Sequence, residues 1–145
     1  MGMAHLISQR STCSRLNVGA VISQNGRTTS MGYNGAPAGL PHCDHDECTC
    51  RYEGGHLLGG DPMCPKHGAC RTAVHAEANA LAFAARFGLG TEGAELHTTH
   101  QPCLTCAMSI INAGIIRVVF ENPYRDNGGL LLLHHADLTA EKLVR

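Results

Sequence analysis

Four side chains in the middle of the chain have types that together can hold a metal ion and move a proton. His75 is followed two positions later by Glu77, and Cys103 and Cys106 form a Cys-x-x-Cys pair directly after Pro102. One imidazole and two thiolates make a three-ligand zinc site with a fourth position open, which is typical of catalytic rather than structural zinc. Zinc lowers the pKa of bound water to about 7, and a nearby carboxylate can then take and return protons.

Two helices are predicted to present these side chains. The segment 73–87 is rich in Ala and Leu, so we expect a helix whose first turn carries His75 and Glu77 on different faces. Pro102 suits the first position of a second helix, whose N-terminus favours the thiolate form of nearby cysteines. The apolar face predicted for the first helix consists of residues that recur at helical intervals: Ala76, Ala80, Phe83, Ala84 and Phe87.

A closed structural zinc site of the Cys₃His or Cys₂His₂ type is the alternative use of the same residues. The presence of Glu77, and of Pro102 before the cysteine pair, argues against it. The pattern His-x-Glu followed by Pro-Cys-x-x-Cys resembles the signature of zinc-dependent nucleobase deaminases, in which the Glu carries protons and is not a ligand. This resemblance implies hydrolytic deamination of an amidine-like carbon, as in a cytosine ring.

Composition limits the remaining possibilities. The chain has 145 residues, enough for one domain with a hydrophobic core, and a formal net charge of −1 without a basic run, which argues against a nucleic-acid partner. No apolar run approaches the ~20 residues that span a bilayer, so no membrane association is expected. The first ten residues lack the form of a signal peptide. Eight Cys in such a chain indicate metal ligands rather than disulfides, and a cytoplasmic location.

The order of predicted elements indicates an α/β domain with a mixed sheet. The dipeptide Asn25-Gly26 predicts a hairpin between two strands, and a Gly-rich loop at 32–39 follows. Strands are predicted at 18–22, 28–33, 95–99 and 115–120; helices at 4–12, 73–87, 102–113 and 130–135; a polar loop at 121–127; and a helical or extended tail at 139–144.

The segment 42–70 is unusually rich in metal-binding side chains and in glycine. We expect it to lack regular structure, and a loop of this length needs a reason to be ordered. A structural zinc would supply one, because metal binding contributes to folding. Counting alone does not decide which cysteines serve, and Cys13, outside the segment, could equally be a small buried apolar residue. The candidate ligands here are Cys43, Cys48, Cys50, Cys64, Cys70, His42, His45, His56 and His67.

Nearly the whole chain resembles the deoxycytidylate (dCMP) deaminases of phages and bacteria. Two motifs are general to the wider superfamily, namely the His-Ala-Glu of 75–77 and the Pro-Cys-Leu-Thr-Cys of 102–106. The Gly-Tyr-Asn-Gly loop followed by a Cys/His insert narrows the resemblance to dCMP deaminases. The matching stretches are STCSR at 11–15, VGAVI at 18–22, GYNGAPAG at 32–39, HCD at 42–44, CRTAVHAEANA at 70–80 and PCLTCA at 102–107.

The resemblance implies a fold and a set of site residues. The fold is a cytidine deaminase-like three-layer α/β/α sandwich with a mixed central sheet, formed by a single domain, 1–145, with a zinc-binding insert at 42–70. The implied residues are His75, Cys103 and Cys106 for the catalytic zinc; Glu77 as proton shuttle; Asn34 for the sugar and Tyr124 for the sugar-phosphate; Arg15 and Ser14 as weaker phosphate candidates; and Cys13, Cys43, Cys48 and Cys70 for a structural zinc, with Cys64, His67 and Cys50 in reserve.

The resemblance also implies conversion of dCMP to dUMP, a homo-oligomer with a hexamer favoured, and regulation by dCTP and dTTP. Mg²⁺ could accompany dCTP, and the effectors would bind near the loop after Gly35 and near Phe83 and Arg86. The chain departs from the family pattern at Ala69 and at Gln101, which precedes the Pro-Cys pair. The alternatives are another small cytosine or adenine substrate on the same fold, or a zinc module without activity. Finally, His97 and His100 are predicted to be strand residues or hydrogen-bond partners of the site.

Overall fold

The computed structural model describes residues 1–13, 15–40, 42, 51–52, 55–56 and 73–144, with the backbone alone at 51–52 and 55–56. Within these residues the chain forms helices on both sides of one sheet. The helices are α1 (Gly2–Ser8), α2 (Ala76–Arg86), α3 (Leu104–Asn112) and α4 (Gly128–His135). The strands are β1 (Gly19–Gln24), β2 (Arg27–Tyr33), β3 (Arg51–Tyr52), β4 (Gly55–His56), β5 (Glu95–His100), β6 (Arg117–Asn122) and β7 (Thr139–Lys142).

The main sheet is mixed, as predicted. Its strand order is β2-β1-β5-β6-β7. β1 pairs antiparallel with β2 and β5, whereas β5 with β6 and β6 with β7 are parallel. The predicted hairpin joins β1 to β2, with φ of 52° at Asn25 and 74° at Gly26, which a tight turn of this kind requires. Since β5 and β6 are parallel, their C-terminal ends point in the same direction, and the loops that follow them lie at the same end of the sheet.

Two close approaches of backbone show that helices cover both faces of the sheet. Neighbouring residues of a strand point to opposite faces, and Gly19 neighbours Ala20, which pairs with Gly32. A Cβ atom on Gly19 would lie 2.0 Å from the carbonyl oxygen of Ala4 in α1. A Cβ atom on Gly32 would lie 2.4 Å from the carbonyl oxygen of Ala76 in α2. Thus α1 and α2 lie on opposite faces, which gives the predicted three layers.

The core lies between the sheet and the layer of α2, α3 and α4. Strand positions on this face are paired in register, with Ile22 opposite Leu96 and Leu96 opposite Val118. All three are fully buried and belong to one apolar cluster together with Ile110 of α3 and Leu133 of α4. This packing holds the N-termini of α2 and α3 against the sheet. None of the described helices is long and apolar enough to cross a bilayer.

The apolar face predicted for α2 is wrong at its aromatic positions. Ala76, Ala80 and Ala84 are buried, but the side chains of Phe83 and Phe87 are 49% and 58% exposed. Their rings contact each other, with centroids 4.5 Å apart. Small side chains let α2 lie close to the sheet, and the two phenylalanines fall just outside this contact.

Other element boundaries also differ from the predictions. Helix α1 ends at Ser8 rather than continuing to Thr12, and α3 begins at Leu104, so that Pro102 precedes the helix. The tail at 139–144, predicted to be helical or extended, forms β7, because β6 offers an unpaired edge. The insert was expected to lack regular structure, yet β3 and β4 within it pair antiparallel.

Candidate active site

The structure brings together the three predicted metal ligands. The Nδ1 atom of His75 lies 3.4 Å from Sγ of Cys103 and 3.4 Å from Sγ of Cys106. The three ligand atoms lie within 4.8 Å of one another, and among the described residues this is the group of His, Cys, Asp and Glu that could hold a metal ion. The predicted cluster is therefore present in three dimensions.

The geometry of this cluster fits zinc. Zinc binds thiolate sulfur at about 2.3 Å and imidazole nitrogen at about 2.0 Å in tetrahedral sites, so a nitrogen and a sulfur ligand lie about 3.5 Å apart. The two distances of 3.4 Å from Nδ1 of His75 match this spacing. Two sulfurs and one nitrogen are also a donor set that zinc prefers over hard cations such as Mg²⁺.

The two sulfurs differ in their affinity for a proton. The pKa of Cys103 is lowered to about 3, chiefly because the thiol of Cys106 hydrogen-bonds its sulfur and secondarily through His75. The pKa of Cys106 is raised by the same hydrogen bond and by burial. One sulfur of the pair is therefore a thiolate, and a bound cation would favour the same state in the other.

Glu77 is a buried acid beside the cluster. Its side chain is 4% exposed, and burial raises its pKa to about 7, with the charge of Cys103 acting in the same direction. The nearby charge of His75 and hydrogen bonds to Glu77 lower the pKa again, but only in part. A carboxyl group in such a setting can hold a proton as well as release one.

Local contacts explain why His75 and Glu77 face this point. His75 is the N-cap of α2 and has an extended backbone, and Glu77 is the second residue of the helix. The preceding residue, Val74, exchanges two backbone hydrogen bonds with Gly35, of 2.9 and 3.1 Å. This bridge ties the start of α2 to the loop that follows β2.

A cavity of about 220 Å³ opens beside the cluster. His75, Glu77 and Cys103 lie on its wall, and Arg15 and Arg125 line it as well. Both arginines are exposed, so they lie toward solvent, whereas Glu77 lies at the buried end. The cavity therefore has a buried end with a metal site and a solvent end with positive charge, which suits a small molecule carrying an anionic group.

Asn34 lines the cavity and also organises the chain around it. Its Oδ1 accepts hydrogen bonds from the hydroxyl of Ser11 at 2.7 Å and from the backbone N–H of Val18 at 2.8 Å. Its Nδ2 donates to the carbonyl oxygen of Leu16 at 2.7 Å. An amide nitrogen has two N–H groups, and the second of these has no partner among the described residues, so it can donate to a molecule in the cavity.

The loop that follows β6 also lines the cavity. Tyr124 lines the cavity, and the guanidinium of Arg125 lies 5.4 Å from the centre of its ring. The buried Gln101 hydrogen-bonds this loop from the end of β5. His100, at the end of β5, also lines the cavity, and burial lowers its pKa.

Sequence reasoning left out some cavity residues and named others that the structure does not describe. No sequence pattern assigns a role to Arg125, and Gln101 is recognisable in the sequence only as a departure from the family. A usable signal was the rule that ligands bind beyond the carboxyl ends of parallel strands, where both residues lie. Cys13 is buried and Arg15 lines the cavity. The candidates that lie outside the described residues are Ser14, Cys43, Cys48, Cys50, Cys64, His67 and Cys70.

Comparison with known proteins identifies the family. The family model described as the cytidine and deoxycytidylate deaminase zinc-binding region matches residues 1–122. The chain belongs to this family. A zinc-binding deaminase family and a His/Cys/Cys cluster at zinc spacing together make this a zinc-binding protein.

Similar proteins include two curated sequences and one solved structure. Over 144 residues the deaminase is 38% identical to ComE operon protein 2 of Bacillus subtilis, covering 99% of this chain and 68% of that protein. It is 43% identical over 123 residues to the deoxycytidylate deaminase of Mycobacterium phage D29. This alignment covers 83% of this chain and 89% of the phage protein. The structure of the dCMP deaminase of cyanophage S-TIM5, solved in complex with dCMP and dUMP, superposes on this chain with a TM-score of 0.79 at 32% sequence identity. The superposition covers 98% of this chain and 92% of the cyanophage chain.

Proposed function

We propose that this deaminase converts dCMP and water to dUMP and ammonia. The observation that carries the proposal is the cluster of His75, Cys103 and Cys106 beside the buried Glu77, at the closed end of a cavity with arginines at its open end. Relatives named deoxycytidylate deaminase, and the likeness to a structure solved with dCMP and dUMP, support the choice of substrate.

The site residues divide the chemistry between them. His75, Cys103 and Cys106 hold zinc, which supplies the electrophilic activation that makes water a nucleophile near neutral pH. Glu77 takes a proton from the attacking water and passes it to the ring nitrogen of the cytosine. It then takes the second water proton, which remains on the new hydroxyl group of the ring carbon, and delivers it to the amino group. The carbon–nitrogen bond breaks, ammonia leaves, and the ring keeps the water oxygen as a carbonyl.

The rest of the cavity recognises the sugar and the phosphate. The remaining N–H of Asn34 donates to the sugar, and Tyr124 reaches the sugar-phosphate. Arg15 and Ser14 are candidates for the 5′-phosphate, and the exposed guanidinium of Arg125, which also lines the cavity, is a further one. Guanidinium groups suit a phosphate dianion because they can donate two parallel hydrogen bonds.

Turnover of dCMP beside deoxycytidine, measured as ammonia release, tests the proposal. We expect dCMP to be the better substrate by a wide margin because only it carries the phosphate. Equal rates would refute the phosphate recognition, and release from another base alone would favour a different small substrate. A zinc module without activity predicts bound zinc, no ammonia, and indifference to Glu77→Gln.

A second, structural zinc is part of the proposal. Its proposed ligands are Cys13, Cys43, Cys48 and Cys70. Cys13 is buried, as a ligand of a zinc ion inside the protein would be. Two zinc ions per chain in the wild type, falling to one in Cys103→Ala, are expected by elemental analysis. The reserve ligands are Cys64, His67 and Cys50.

We also propose a homo-oligomer, with a hexamer favoured, that is regulated by dCTP and dTTP. Exposed apolar side chains on the helical layer support an assembly, among them Phe83, Leu104 and Met108. Mg²⁺ would accompany dCTP, and the effectors would bind near Gly35, Phe83 and Arg86. Sedimentation and activity measurements with and without each nucleotide test both parts.

Finally, we propose one domain over 1–145, with the insert at 42–70, acting in the cytoplasm. The reducing conditions there suit a site that needs Cys103 and Cys106 as thiolates. A protease-resistant core that retains the whole chain would support the single domain.

A further inference from the structure

We propose that Gln101 is a positioning residue that holds the loop 123–127 over the outer part of the cavity. Through this loop it would position Tyr124 and Arg125. The inference rests on the proposed function, because it is there that these two side chains are assigned to the sugar-phosphate of the substrate.

Both ends of the Gln101 amide are bound to this loop. The side chain is 3% exposed. Its Nε2 donates a hydrogen bond to the carbonyl oxygen of Asp126 at 2.8 Å, and its Oε1 accepts one from the backbone N–H of Tyr124 at 3.3 Å. A buried amide that lost these partners would leave polar groups unsatisfied, so the loop and the side chain stabilise each other.

The loop has further attachments on either side of this contact. At its start, the backbone N–H of Gln101 donates to the carbonyl oxygen of Asn122 at 2.8 Å. The side chain of Asn122 in turn donates to the carbonyl oxygen of Thr99 at 2.9 Å. Beyond the loop, Gly129 lies so close to Pro102 that a Cβ atom would be 2.1 Å from its carbonyl oxygen. Gln101 therefore secures the middle of a loop whose two ends are already fixed.

Gln101 also links this loop to the proposed metal site through its position in the chain. It lies two residues before Cys103, a proposed zinc ligand, on the same short piece of backbone. The spacing between the metal cluster and the loop that carries Tyr124 is thus set over very few bonds. The amide of Gln101 serves both contacts, whereas a carboxylate cannot donate to the carbonyl oxygen of Asp126 and an apolar side chain can make neither hydrogen bond.

The test replaces Gln101 with Met, which has a similar shape and no amide, in the zinc-loaded full chain. Two quantities are measured: hydrogen exchange of the Tyr124 amide by NMR, and kcat and KM for dCMP. We expect faster exchange at Tyr124 and a KM raised about tenfold, with kcat changed by less than about threefold, because the chemical groups are untouched. Zinc content should equal that of the wild type.

Gln24→Met is the matched control. The Gln24 side chain also donates a hydrogen bond from its amide to a backbone carbonyl, that of Glu92, at 2.7 Å, but it lies outside the cavity. It should leave the Tyr124 exchange rate, KM and zinc content unchanged. A second variant, Gln101→Glu, keeps an acceptor for Tyr124 but lacks the donor for Asp126, so it should restore part of the Tyr124 protection.

Unchanged exchange at Tyr124 in Gln101→Met would overturn the inference. Loss of zinc with a fall in kcat would also overturn it, since Gln101 would then act on the metal site. If the wild type does not deaminate dCMP, the proposed function fails, but the exchange measurement still decides whether Gln101 holds the loop.

Discussion

The Sγ atom of Cys106 lies 3.4 Å from Nδ1 of His75, although 31 positions separate the two residues. Each belongs to the N-terminal end of a different helix, His75 as the N-cap of α2 and Cys106 in the first turn of α3. The N-termini of both helices lie at the same end of the sheet, so the fold brings the His75 motif and the Cys-x-x-Cys motif together into one cluster.

Removal of one sulfur should remove one metal ion. We expect Cys103→Ala to lose one zinc per chain, because two ligands hold zinc far less tightly than three, and to lose turnover by orders of magnitude. Elemental analysis of dialysed protein measures the loss. Thr105→Ala, an exposed position between the two cysteines, should retain the metal. Equal zinc in Cys103→Ala and the wild type would exclude Cys103 as a ligand.

Removal of the Glu77 carboxyl group should slow the deamination without reducing zinc binding. We expect Glu77→Gln to keep the zinc and lower kcat by about 10²–10⁴-fold, because the amide has nearly the same shape but cannot carry a proton. Steady-state kinetics and zinc content on the same preparation check this. Glu92→Gln changes an exposed carboxylate and should leave kcat alone. A variant with more than half of the normal kcat would disprove the role of Glu77.

Removal of the outer positive charge should weaken binding of the nucleotide selectively. We expect Arg125→Gln to raise KM for dCMP by about tenfold and to change the slow turnover of deoxycytidine little, because only dCMP carries the phosphate. The difference should shrink at high salt, since exposed charges are screened. Arg27→Gln, at an exposed position of the hairpin, is the control. An equal effect on both substrates would contradict a phosphate contact.

A methyl group at Gly32 should push α2 away from the sheet. The added Cβ would lie 2.4 Å from the carbonyl oxygen of Ala76 and 2.4 Å from the backbone nitrogen of Ala80, neither of which can move alone. We expect Gly32→Ala to lower the free energy of unfolding by about 3 kcal/mol and to weaken zinc binding through His75. Denaturant titration measures this. Gly90→Ala, with no atom within 4 Å of the new Cβ, should leave the free energy of unfolding unchanged. A Gly32→Ala variant as stable as the wild type would refute the close contact.

A charge on the outer face of α3 should disrupt the proposed assembly. Leu104 and Met108 are 49% and 48% exposed and lie one helical turn apart. If this face is buried between subunits, Met108→Glu should lower the mass found by sedimentation equilibrium, because a buried unpaired charge is costly. Ser109→Glu, exposed on the same helix, tests the effect of charge alone. An unchanged mass in Met108→Glu would place the interface elsewhere.

Local spacing was enough to predict the metal cluster, the hairpin and the order of most elements. A Cys-x-x-Cys pair at a helix start brings two sulfurs to one side within a single turn, whatever surrounds it. Asn25-Gly26 tolerates the positive φ that a tight hairpin needs, so its turn was also readable from the dipeptide. The fold class followed from strands alternating with helices.

Tertiary packing alone decided the exposure of Phe83, the pairing of β7 with β6, and the contacts of Gln101. Helical periodicity says which residues share a face but not how closely a neighbour approaches, and small alanines let α2 come so near the sheet that Phe83 stays outside. The tail could pair as a strand only because β6 offered a free edge. Gln101 and Arg125 follow no local pattern, because their roles depend on two loops that meet only when β5 and β6 lie side by side.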